Sequence, residues 1–433
     1  MPLITSDLEF SDDYPTIEPS LRLDFANARA LDPCITFTRA SVGTYVGANG
    51  LIKTAGVDES RFDHDPTTGE SLGLLIEKSM INYQTYSVDI NTGKGFLTGS
   101  TLSSNAATAP DGTTTATRIT GSGIDEITRL GWNTQGTSNT QYNVFSVFVK
   151  ANSGTPILGF YSNTFVAGAV AFNIDLSDGS TNTIGGSGSF SSKVIAYPNG
   201  WYRVTVMGGP GTGSGGSWNI NLVPSLTSAR GSQSGSNASS SYFIWGVQEE
   251  LSSGFFPTSY IPTSGSTVTR AVDIPIISGE NFNSFYNQSE GTLVLSADIG
   301  ELVTSNQTAV AFEDTSNVSA SFIAMGYNTG GGGSGHVGAW YNSSGITSAF
   351  KTHNIGVTIN TEFKQSFAYK LDDFSSVVNG GAPLTDNSGG ITTLIDRVRF
   401  GNYHYGGMSS GHIKQFTYYP KRLTNVQLQT LTQ

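Results

Sequence analysis

Short alternating runs of apolar residues recur along this chain, and helical periodicity is nearly absent. The run "WYRVTVMGG" places Trp201, Arg203 and Thr205 on one face of a strand and the residues between them on the other. Stretches such as "IGGSGSFSS" and "ARGSQSGSNASSS" separate these runs with turn-forming residues. Many short strands divided by turns predict an all-β chain of two tandem β-sandwich domains, of the jelly-roll or lectin-like kind.

The length and the pattern together predict four segments. A chain of 433 residues has room for two to four domains. Asn49-Gly50 predicts a hairpin turn near the N-terminus, and Thr424 is placed to cap a short C-terminal helix. The first segment has few strong core residues, so we expect it to order by packing on another domain or subunit. The segments are a small β-hairpin-rich docking region (1–84), a jelly roll (85–254), a proline-containing strap (255–275) and a second sandwich (276–433).

The stretch "YFIWGVQEELSSGFFPTSYIPTSGSTVTR", residues 242–270, joins a strand to the strap. Pro257 and Pro262 restrict the backbone and disfavour helix before each ring. Its aromatic residues predict a strap that is packed and semi-rigid, with Phe255, Phe256 and Tyr260 buried against a sandwich. Strict alternation predicts one strand face made of Phe243, Trp245 and Val247 and the other of Tyr242, Ile244 and Gly246.

Composition excludes several classes of partner and site. Charged residues make up 13% of the chain, the net charge is −11, and no run of Lys or Arg occurs, so a nucleic-acid partner is not expected. The single cysteine, Cys34, excludes an intrachain disulfide framework and a multi-thiolate zinc site, and we expect it to be a small half-buried residue. The N-terminus does not resemble a signal peptide, and no apolar run is long enough for membrane insertion.

The sequence predicts no catalytic residues, no cofactor and no metal site. Neither HExxH nor a GxSxG between strand and helix occurs. The adjacent pairs Glu249-Glu250 and Asp372-Asp373 would point to opposite strand faces, so neither pair readily forms a glycosidase site, and we expect solvated charges. The segment "FDHDPTTG" at residues 62–69 could offer calcium ligands, but it more simply forms a turn. The chain is therefore predicted not to be an enzyme.

Exposed aromatic residues are the best hint of function, because sugars stack their C–H faces on rings. The segments "AWYNSSG" and "RFGNYHYGGMSSGH" combine such rings with polar side chains in or beside loops. The alternative is packing inside a sandwich or between subunits, which is the better explanation for any single residue. For the cluster around Tyr403 the two explanations are equal. The candidate glycan-binding residues are Trp340, Tyr341 and Asn342 in the first segment and Asn402, Tyr403, His404 and Tyr405 in the second.

Several long segments resemble one family of proteins. "SLRLDFANARALDPCITFTRASVGTYVGANGLIKTAGVDESRFDHDPTTGESLGLLIE" resembles the N-terminal module of tailed-bacteriophage tail fibres and related attachment proteins. "NAATAPDGTTTATRI" and "YFIWGVQEELSSGFFPTSYIPTSGSTVTRAVD" are similar to segments that follow that module in such proteins. "NQSEGTLVLSADI" and "GHIKQFTYYPKRLTNVQLQTL" resemble a laminin-G or concanavalin-like sandwich, and the middle resembles a carbohydrate-binding jelly roll. These segments span nearly the whole chain.

The resemblance implies a non-enzymatic structural protein of a phage virion. It would be a tail fibre or receptor-binding protein that recognises host cell-surface polysaccharide. The N-terminal region would dock on other virion proteins, and the chain would form a homotrimer. The alternative is a capsid decoration, head-fibre or tail-adaptor protein with a purely structural role. A glycan-cleaving enzyme ranks last, because the sequence lacks the long β-helical repeat usual in depolymerase tailspikes.

Overall fold

The structure, a computed structural model, has the all-β fold that the sequence predicts. Each pair of strands is antiparallel. Within the described residues, no helix is long and apolar enough to cross a membrane. The structure describes residues 13–134, 138, 140–162, 171–185, 190–209, 216–252, 257–301, 307–318, 320–327, 336–401 and 410–433.

The helices of the described part are short, and strands make up most of its regular structure. The helices are α1 (Ile90–Gly93), α2 (Gly279–Asn283) and α3 (Asn425–Leu431). In chain order the strands are β1 (Leu21–Asp24), β2 (Thr36–Thr38), β3 (Gly43–Val46), β4 (Ile52–Ala55), β5 (Phe62–His64), β6 (Ser71–Ile76), β7 (Met80–Asn82), β8 (Phe96–Thr98), β9 (Ser100–Ala107), β10 (Ala116–Gly121), β11 (Arg129–Asn133), β12 (Tyr142–Ser153), β13 (Ile157–Ser162), β14 (Ala171–Asp175), β15 (Thr181–Ile184), β16 (Phe190–Tyr197), β17 (Trp201–Gly208), β18 (Ser217–Val223), β19 (Ser241–Ser252), β20 (Val268–Arg270), β21 (Ile274–Ser278), β22 (Glu290–Ala297), β23 (Gln307–Glu313), β24 (Phe322–Tyr327), β25 (His336–Ser343), β26 (Ile346–Asn354), β27 (Phe363–Lys370), β28 (Phe374–Val378), β29 (Leu384–Asp386), β30 (Arg397–Phe400) and β31 (Gly411–Tyr419).

The chain divides into two compact units, and each unit is built from separate stretches of sequence. The middle unit comprises residues 39–71 and 79–272, and the C-terminal unit comprises residues 1–38, 72–78 and 273–433. The predicted N-terminal region is therefore shared out between the two units. Its predicted role in docking stays a prediction.

The middle unit is a sandwich of two six-stranded sheets. Sheet M1 has the order β16-β17-β12-β19-β10-β9, and sheet M2 has the order β15-β14-β13-β18-β11-β8. In the core between them, the Phe145 ring of M1 stacks on Trp218 of M2, with 5.6 Å between ring centroids. Val204 and Val206 join this core from β17, while Trp201 packs on the opposite face of the same strand, as alternation predicts.

A β-bulge breaks the predicted alternation of β19. The register of β19 against β12 shifts by one residue between Ser146 and Phe148. The shift falls at Gly246, whose φ of +66° is a left-handed conformation that glycine adopts readily. Val247 consequently joins Ile244 in the core. The prediction that Val247 and Ile244 lie on opposite faces is wrong, because the bulge inserts an extra residue.

The strap packs on the outer face of sheet M1. Its Tyr260 is 4% exposed, and the Tyr260 ring centroid lies 4.6 Å from that of Trp245 and 6.3 Å from that of Phe148. The predicted burial of Tyr260 against a sandwich is confirmed. The other two aromatic residues of that prediction, Phe255 and Phe256, lie outside the described residues.

Hydrogen bonds from side chains of M1 hold the backbone of the strap. The Thr258 N–H donates to Glu250 Oε2 at 2.9 Å, and Arg203 Nη2 donates to the Thr258 carbonyl at 2.9 Å. The Ile261 N–H donates to Gln248 Oε1 at 2.6 Å. Glu250 is 1% exposed, so the expectation of a solvated charge is wrong for this residue, because the strap covers it.

Residues 39–71 of the middle unit combine a hairpin with buried arginine side chains. Asn49-Gly50 forms the predicted turn between β3 and β4, and Gly50 has a φ of +71°. Arg61 is fully buried, and its Nη1 donates to the Thr44 carbonyl and to Ser259 Oγ, each at 2.8 Å. Because a buried guanidinium needs partners for its donors, this side chain ties the segment to the strap.

The C-terminal unit is the second predicted sandwich. Sheet C1 has the order β29-β28-β27-β22-β31, and β31 also pairs with β6 and β1. Sheet C2 has the order β2-β21-β30-β23-β24-β25-β26. The ring of Phe312 in C2 lies 6.0 Å from Phe416 and 5.9 Å from Tyr418 of C1, between centroids. The core of this unit is therefore rich in aromatic rings.

Helix α3 confirms the helix predicted at the C-terminal end of the sequence. Thr424 and Gln427 form a capping box, in which the Gln427 N–H donates to Thr424 Oγ1 and the Thr424 N–H donates to Gln427 Oε1. Leu428 is fully buried, whereas Val426 is 49% exposed. The helix thus has one apolar face, which packs against the sandwich.

Candidate functional site

Strand β25 places Tyr341 inside the core of the C-terminal unit. Tyr341 is 0% exposed, and its ring packs against Tyr369 and Phe374 at 5.6 and 5.5 Å between centroids. The Thr392 N–H donates to its hydroxyl oxygen at 3.0 Å, and burial raises the pKa of the phenol to about 12. The prediction that Tyr341 binds glycan is wrong, because no part of its ring is accessible.

Trp340 and Asn342 point to the opposite, outer face of sheet C2. The half-buried indole of Trp340 meets the buried ring of Phe322 edge-on, at 4.8 Å between centroids and an interplanar angle of 83°. This contact fixes the indole and leaves part of it accessible. Asn342 is 7% exposed and pairs across the strands with Phe322. Of the two rings predicted in this segment, that of Trp340 is the more accessible.

The second predicted cluster, Asn402, Tyr403, His404 and Tyr405, lies outside the described residues. The same holds for the rest of residues 402 to 409. Glycan binding by this cluster stays a prediction.

A row of residues with small side chains separates Trp340 from an arginine on the same outer face. The strand registers place Arg399 opposite Ala311, Ala311 opposite Ala324, and Ala324 opposite Trp340. Three strand-to-strand steps put the Cα atoms of Arg399 and Trp340 about 14 Å apart. Ala311 and Ala324 are 0% and 8% exposed, and they form one apolar cluster with Phe322 against which Trp340 packs. The row therefore has an apolar floor with one aromatic and one cationic end.

The cationic end has two guanidinium groups and one carboxylate. Arg397 Nε donates to Glu313 Oε2 at 2.8 Å, and Arg399 Nε lies 3.7 Å from the same oxygen. Glu313 is 0% exposed, while the two arginine side chains are 17% and 15% exposed. Burial lowers the pKa of Arg399; Glu313 opposes this effect and Arg397 adds to it. The two guanidinium groups therefore share the Glu313 carboxylate.

This outer face, which we call the Trp340 face, can hold a sugar. The exposed part of the indole can stack on the apolar C–H face of a sugar ring. The guanidinium groups can donate to hydroxyl, carboxylate or phosphate oxygens. The arginine pair was not among the predicted site residues, although the sequence carries a signal for it. In "DRVRFG" the arginines are two residues apart, a spacing that puts both on one face of a strand.

The remaining candidate groups serve structural contacts. Glu249 is 0% exposed and its Oε1 accepts from Asn143 Nδ2 at 2.7 Å, so its predicted solvation is also wrong. Asp372 is exposed, as predicted, and adopts a φ of +57° in the turn between β27 and β28. His412 Nδ1 lies 2.9 Å from Asp298 Oδ2 in a buried pair. Burial would raise the pKa of Asp298, but His412 outweighs it and lowers that pKa.

Two further predictions of purely structural roles are confirmed. Asp65 Oδ1 accepts from the N–H groups of Thr67 and Thr68, each at 2.8 Å, so "FDHDPTTG" forms a turn. Cys34 is half-buried, and burial together with Asp32 raises the pKa of its thiol to about 12. No group of three or more His, Cys, Asp or Glu side chains that could hold a metal occurs among the described residues.

Comparison with known proteins finds distant likenesses in fold. No family model and no curated protein matches the sequence. The carbohydrate-binding module CBM40 of the Ruminococcus gnavus IT-sialidase, bound to α2,3-sialyllactose, has a TM-score of 0.30 and 15% identity, covering 35% of this chain and 86% of its own. Domain 4 of AbnA, a GH43 extracellular arabinanase from Geobacillus stearothermophilus, has a TM-score of 0.31 and 13% identity, covering 41% and 82%. Leech intramolecular trans-sialidase has a TM-score of 0.30 and 14% identity, covering 35% and 24%. Likenesses this distant do not indicate what this chain binds.

Proposed function

We propose that this chain is a non-enzymatic attachment protein of a tailed-phage virion, and that it binds host cell-surface glycan through the Trp340 face. The observation that carries the proposal is the fixed, partly accessible indole of Trp340 on the same sheet face as the Arg397–Arg399 pair. Aromatic stacking on sugar C–H faces and hydrogen bonds from charged donors are two interactions that can hold a sugar.

The phage origin rests on the resemblance of the N-terminal segments and of the strap to tail-fibre proteins. By the same resemblance, residues 1–84 would dock on other virion proteins, and the chain would form a homotrimer in the particle. Three copies of one shallow site would bind a repetitive surface polysaccharide far more tightly than a single copy, through a high effective concentration.

A glycan array probed with the full-length chain tests this function. Wild type should bind a subset of bacterial surface polysaccharides, and Trp340→Ala should weaken that binding by at least about tenfold, or 1.4 kcal/mol. Tyr14→Ala is the matched control, because Tyr14 is an aromatic residue that is 63% exposed and its carbonyl accepts from Gln427 of α3, which packs on sheet C1. This control should bind as wild type does.

Two outcomes would count against the proposal. Equal binding by wild type and Trp340→Ala would remove the Trp340 face from recognition. No binding across a broad panel would favour a purely structural role, such as capsid decoration, head fibre or tail adaptor. Electron microscopy of the particle that carries this chain would then show which position it occupies.

A further inference from the structure

The two arginines of the Trp340 face have different neighbours across the strands. The register of β30 against β23 places Arg397 opposite Glu313 and Arg399 opposite Ala311. On its other side Arg399 lies opposite Ile276 of β21. Both cross-strand neighbours of Arg399 are therefore apolar, whereas Arg397 has a carboxylate directly opposite.

Glu313 holds Arg397 more closely than it holds Arg399. Arg397 Nε donates to Glu313 Oε2 at 2.8 Å, and Arg397 Nη2 lies 2.7 Å from the same oxygen. Arg399 Nε lies 3.7 Å from that oxygen, which is too long for a hydrogen bond. The carboxylate thus fixes Arg397 by short contacts and attracts Arg399 only at longer range.

The terminal nitrogens of Arg399 reach the protein surface. Its side chain is 15% exposed, and of its guanidinium nitrogens Nε alone is buried without a hydrogen-bond partner. Nη1 and Nη2 form no hydrogen bond with the described residues and are not buried, so solvent contacts both. A dissolved molecule can therefore reach these two donors without any rearrangement of the sheet.

An anion suits these donors better than a neutral hydroxyl group does. Burial disfavours the charged form of Arg399 and lowers its pKa, an effect that Glu313 opposes and Arg397 strengthens. A negative group on Nη1 and Nη2 would offset the cost of burying this cation. Hydrogen bonds from a guanidinium to a carboxylate or phosphate are roughly twice as strong as those between neutral groups, and two terminal nitrogens match two oxygens of one such group.

We propose that the Trp340 face selects anionic saccharides, and that Arg399 makes the selection. A sugar ring stacks on the exposed part of the Trp340 indole, and a carboxylate or phosphate of the same oligosaccharide accepts from Arg399 Nη1 and Nη2. Arg397 occupies Glu313 and so leaves Arg399 for the ligand. This inference rests on the proposed function and adds to it the class of saccharide that is bound.

Matched pairs of ligands test the selection on the wild-type protein. Full-length protein is titrated by calorimetry with oligosaccharides that carry a uronic acid or a phosphate. Each is measured beside the same oligosaccharide after carboxyl reduction or removal of the phosphate. Wild type should bind the charged member of at least one pair about tenfold more tightly or better, and that pair identifies the anionic group. Equal affinity within both pairs would overturn the inference.

Arg399→Gln tests the residue that makes the selection. This variant should abolish the preference, so that the charged and neutral members bind with similar affinity. Lys370→Gln is the matched control, because it also removes one positive charge, but from an exposed residue of β27 in sheet C1. The control should keep the preference of wild type. A preference that persists in Arg399→Gln, or that Lys370→Gln abolishes equally, would contradict the role of Arg399.

Arg399→Lys keeps the test decisive if Arg399→Gln fails to fold by circular dichroism. It retains a positive charge near Glu313 but loses the planar pair of donors, so the preference should fall by at least about threefold. A full wild-type preference in Arg399→Lys would show that the paired donors do not read the anion.

The same titrations separate this inference from the proposed function. Trp340→Ala should weaken binding of both members of a pair, because it removes the stacking ring. If Trp340→Ala weakens both while wild type shows no preference, the proposed function stands and selection by Arg399 is wrong. If Trp340→Ala changes neither affinity, the Trp340 face is not the binding site and both fail.

Discussion

The two outer faces of the middle sandwich differ in how their polar groups are satisfied. On sheet M1 the strap covers the aromatic residues, and Arg203, Gln248 and Glu250 each hydrogen-bond to its backbone or to Thr258. On sheet M2, Asn173 and Asn221 pair with Gly159 from either side. Their Nδ2 atoms donate to backbone carbonyls, but their Oδ1 atoms have no donor among the described residues.

This difference separates a face whose side chains bond to the strap from a face with buried acceptors that lack a donor among the described residues. Buried polar groups are nearly always paired in folded proteins, so an exception needs its own explanation. On the M1 face the strap gives partners to Gln248, Glu250 and Arg203 Nη2, although Arg203 Nε has no acceptor among the described residues. We infer that substitutions beneath the strap lower the free energy of unfolding more than substitutions on M2 do.

The largest expected effect tests whether the strap is essential to the M1 face. Tyr260→Ala should lower the free energy of unfolding by about 3–5 kcal/mol, because it leaves a cavity beside Trp245 and Phe148. Urea denaturation measures the change. Tyr260→Phe, which loses only the hydroxyl contact to Ser87 Oγ, should cost about 1 kcal/mol. If Tyr260→Ala lowered the free energy of unfolding less than Tyr260→Phe does, the ring of Tyr260 would not anchor the strap.

The bulge in β19 offers the next test of the M1 face. Gly246→Ala should cost about 2–3 kcal/mol, because its backbone is left-handed and the new Cβ would lie 2.9 Å from Phe148. Gly123→Ala isolates the backbone effect, since Gly123 has a φ of +82° and nothing within 4 Å of its Cβ position. If Gly246→Ala and Gly123→Ala lowered stability equally in thermal melting, the contact with Phe148 would contribute nothing.

A buried carboxyl group makes the M1 face sensitive to pH. Burial raises the pKa of Glu250 in spite of its hydrogen bond to Thr258 and the nearby Arg203. Because the folded-state pKa exceeds the ordinary value of 4.5, its stabilising contribution is complete below pH 4.5 and is lost as pH rises through the folded-state pKa. Glu250→Gln should therefore flatten the fall in unfolding free energy above pH 4.5.

Denaturation series from acidic to neutral pH would measure that slope. The exposed Glu280→Gln serves as the control and should keep the wild-type dependence. An unchanged slope in Glu250→Gln would assign the pH dependence to another group.

The smallest expected effect belongs to the M2 face. Arg129→Gln should change the free energy of unfolding by only about 0.5 kcal/mol, the usual value of a partly exposed contact between a cation and a ring. Thermal melting without ligand checks this expectation. A loss as large as that of Tyr260→Ala would mean that M2 also serves stability, and the contrast between the two faces would disappear.

The sequence predicted the class of fold and many local features. Alternation identified the sandwich strands, Asn49-Gly50 identified a hairpin, and Thr424 identified the capped helix. Those signals are local, since each depends on residues close together in the chain. Alternation failed at Gly246, because a glycine in a strand does not reveal whether the strand bulges there.

The arrangement of residues on the sheet faces was harder to predict, because it depends on pairing between distant strands. Nothing near Gly159 in the sequence shows that Asn173 and Asn221 flank it, and amide orientation appears only with the hydrogen bonds. Burial likewise separated Tyr341 from Trp340, although the two are adjacent in the sequence. The division of residues 1–84 between two units follows from long-range pairing in the same way.

The position of β31 in sheet C1 has a consequence for synthesis of the chain. This strand pairs with β22 on one side and with β1 and β6 on the other. During synthesis, β1 and β6 therefore lack this partner until Gly411–Tyr419 has left the ribosome. Late closure of a sheet from distant strands is slow and leaves strand edges unpaired meanwhile. The yield of folded protein should therefore depend on chaperones that protect these unpaired strands during synthesis.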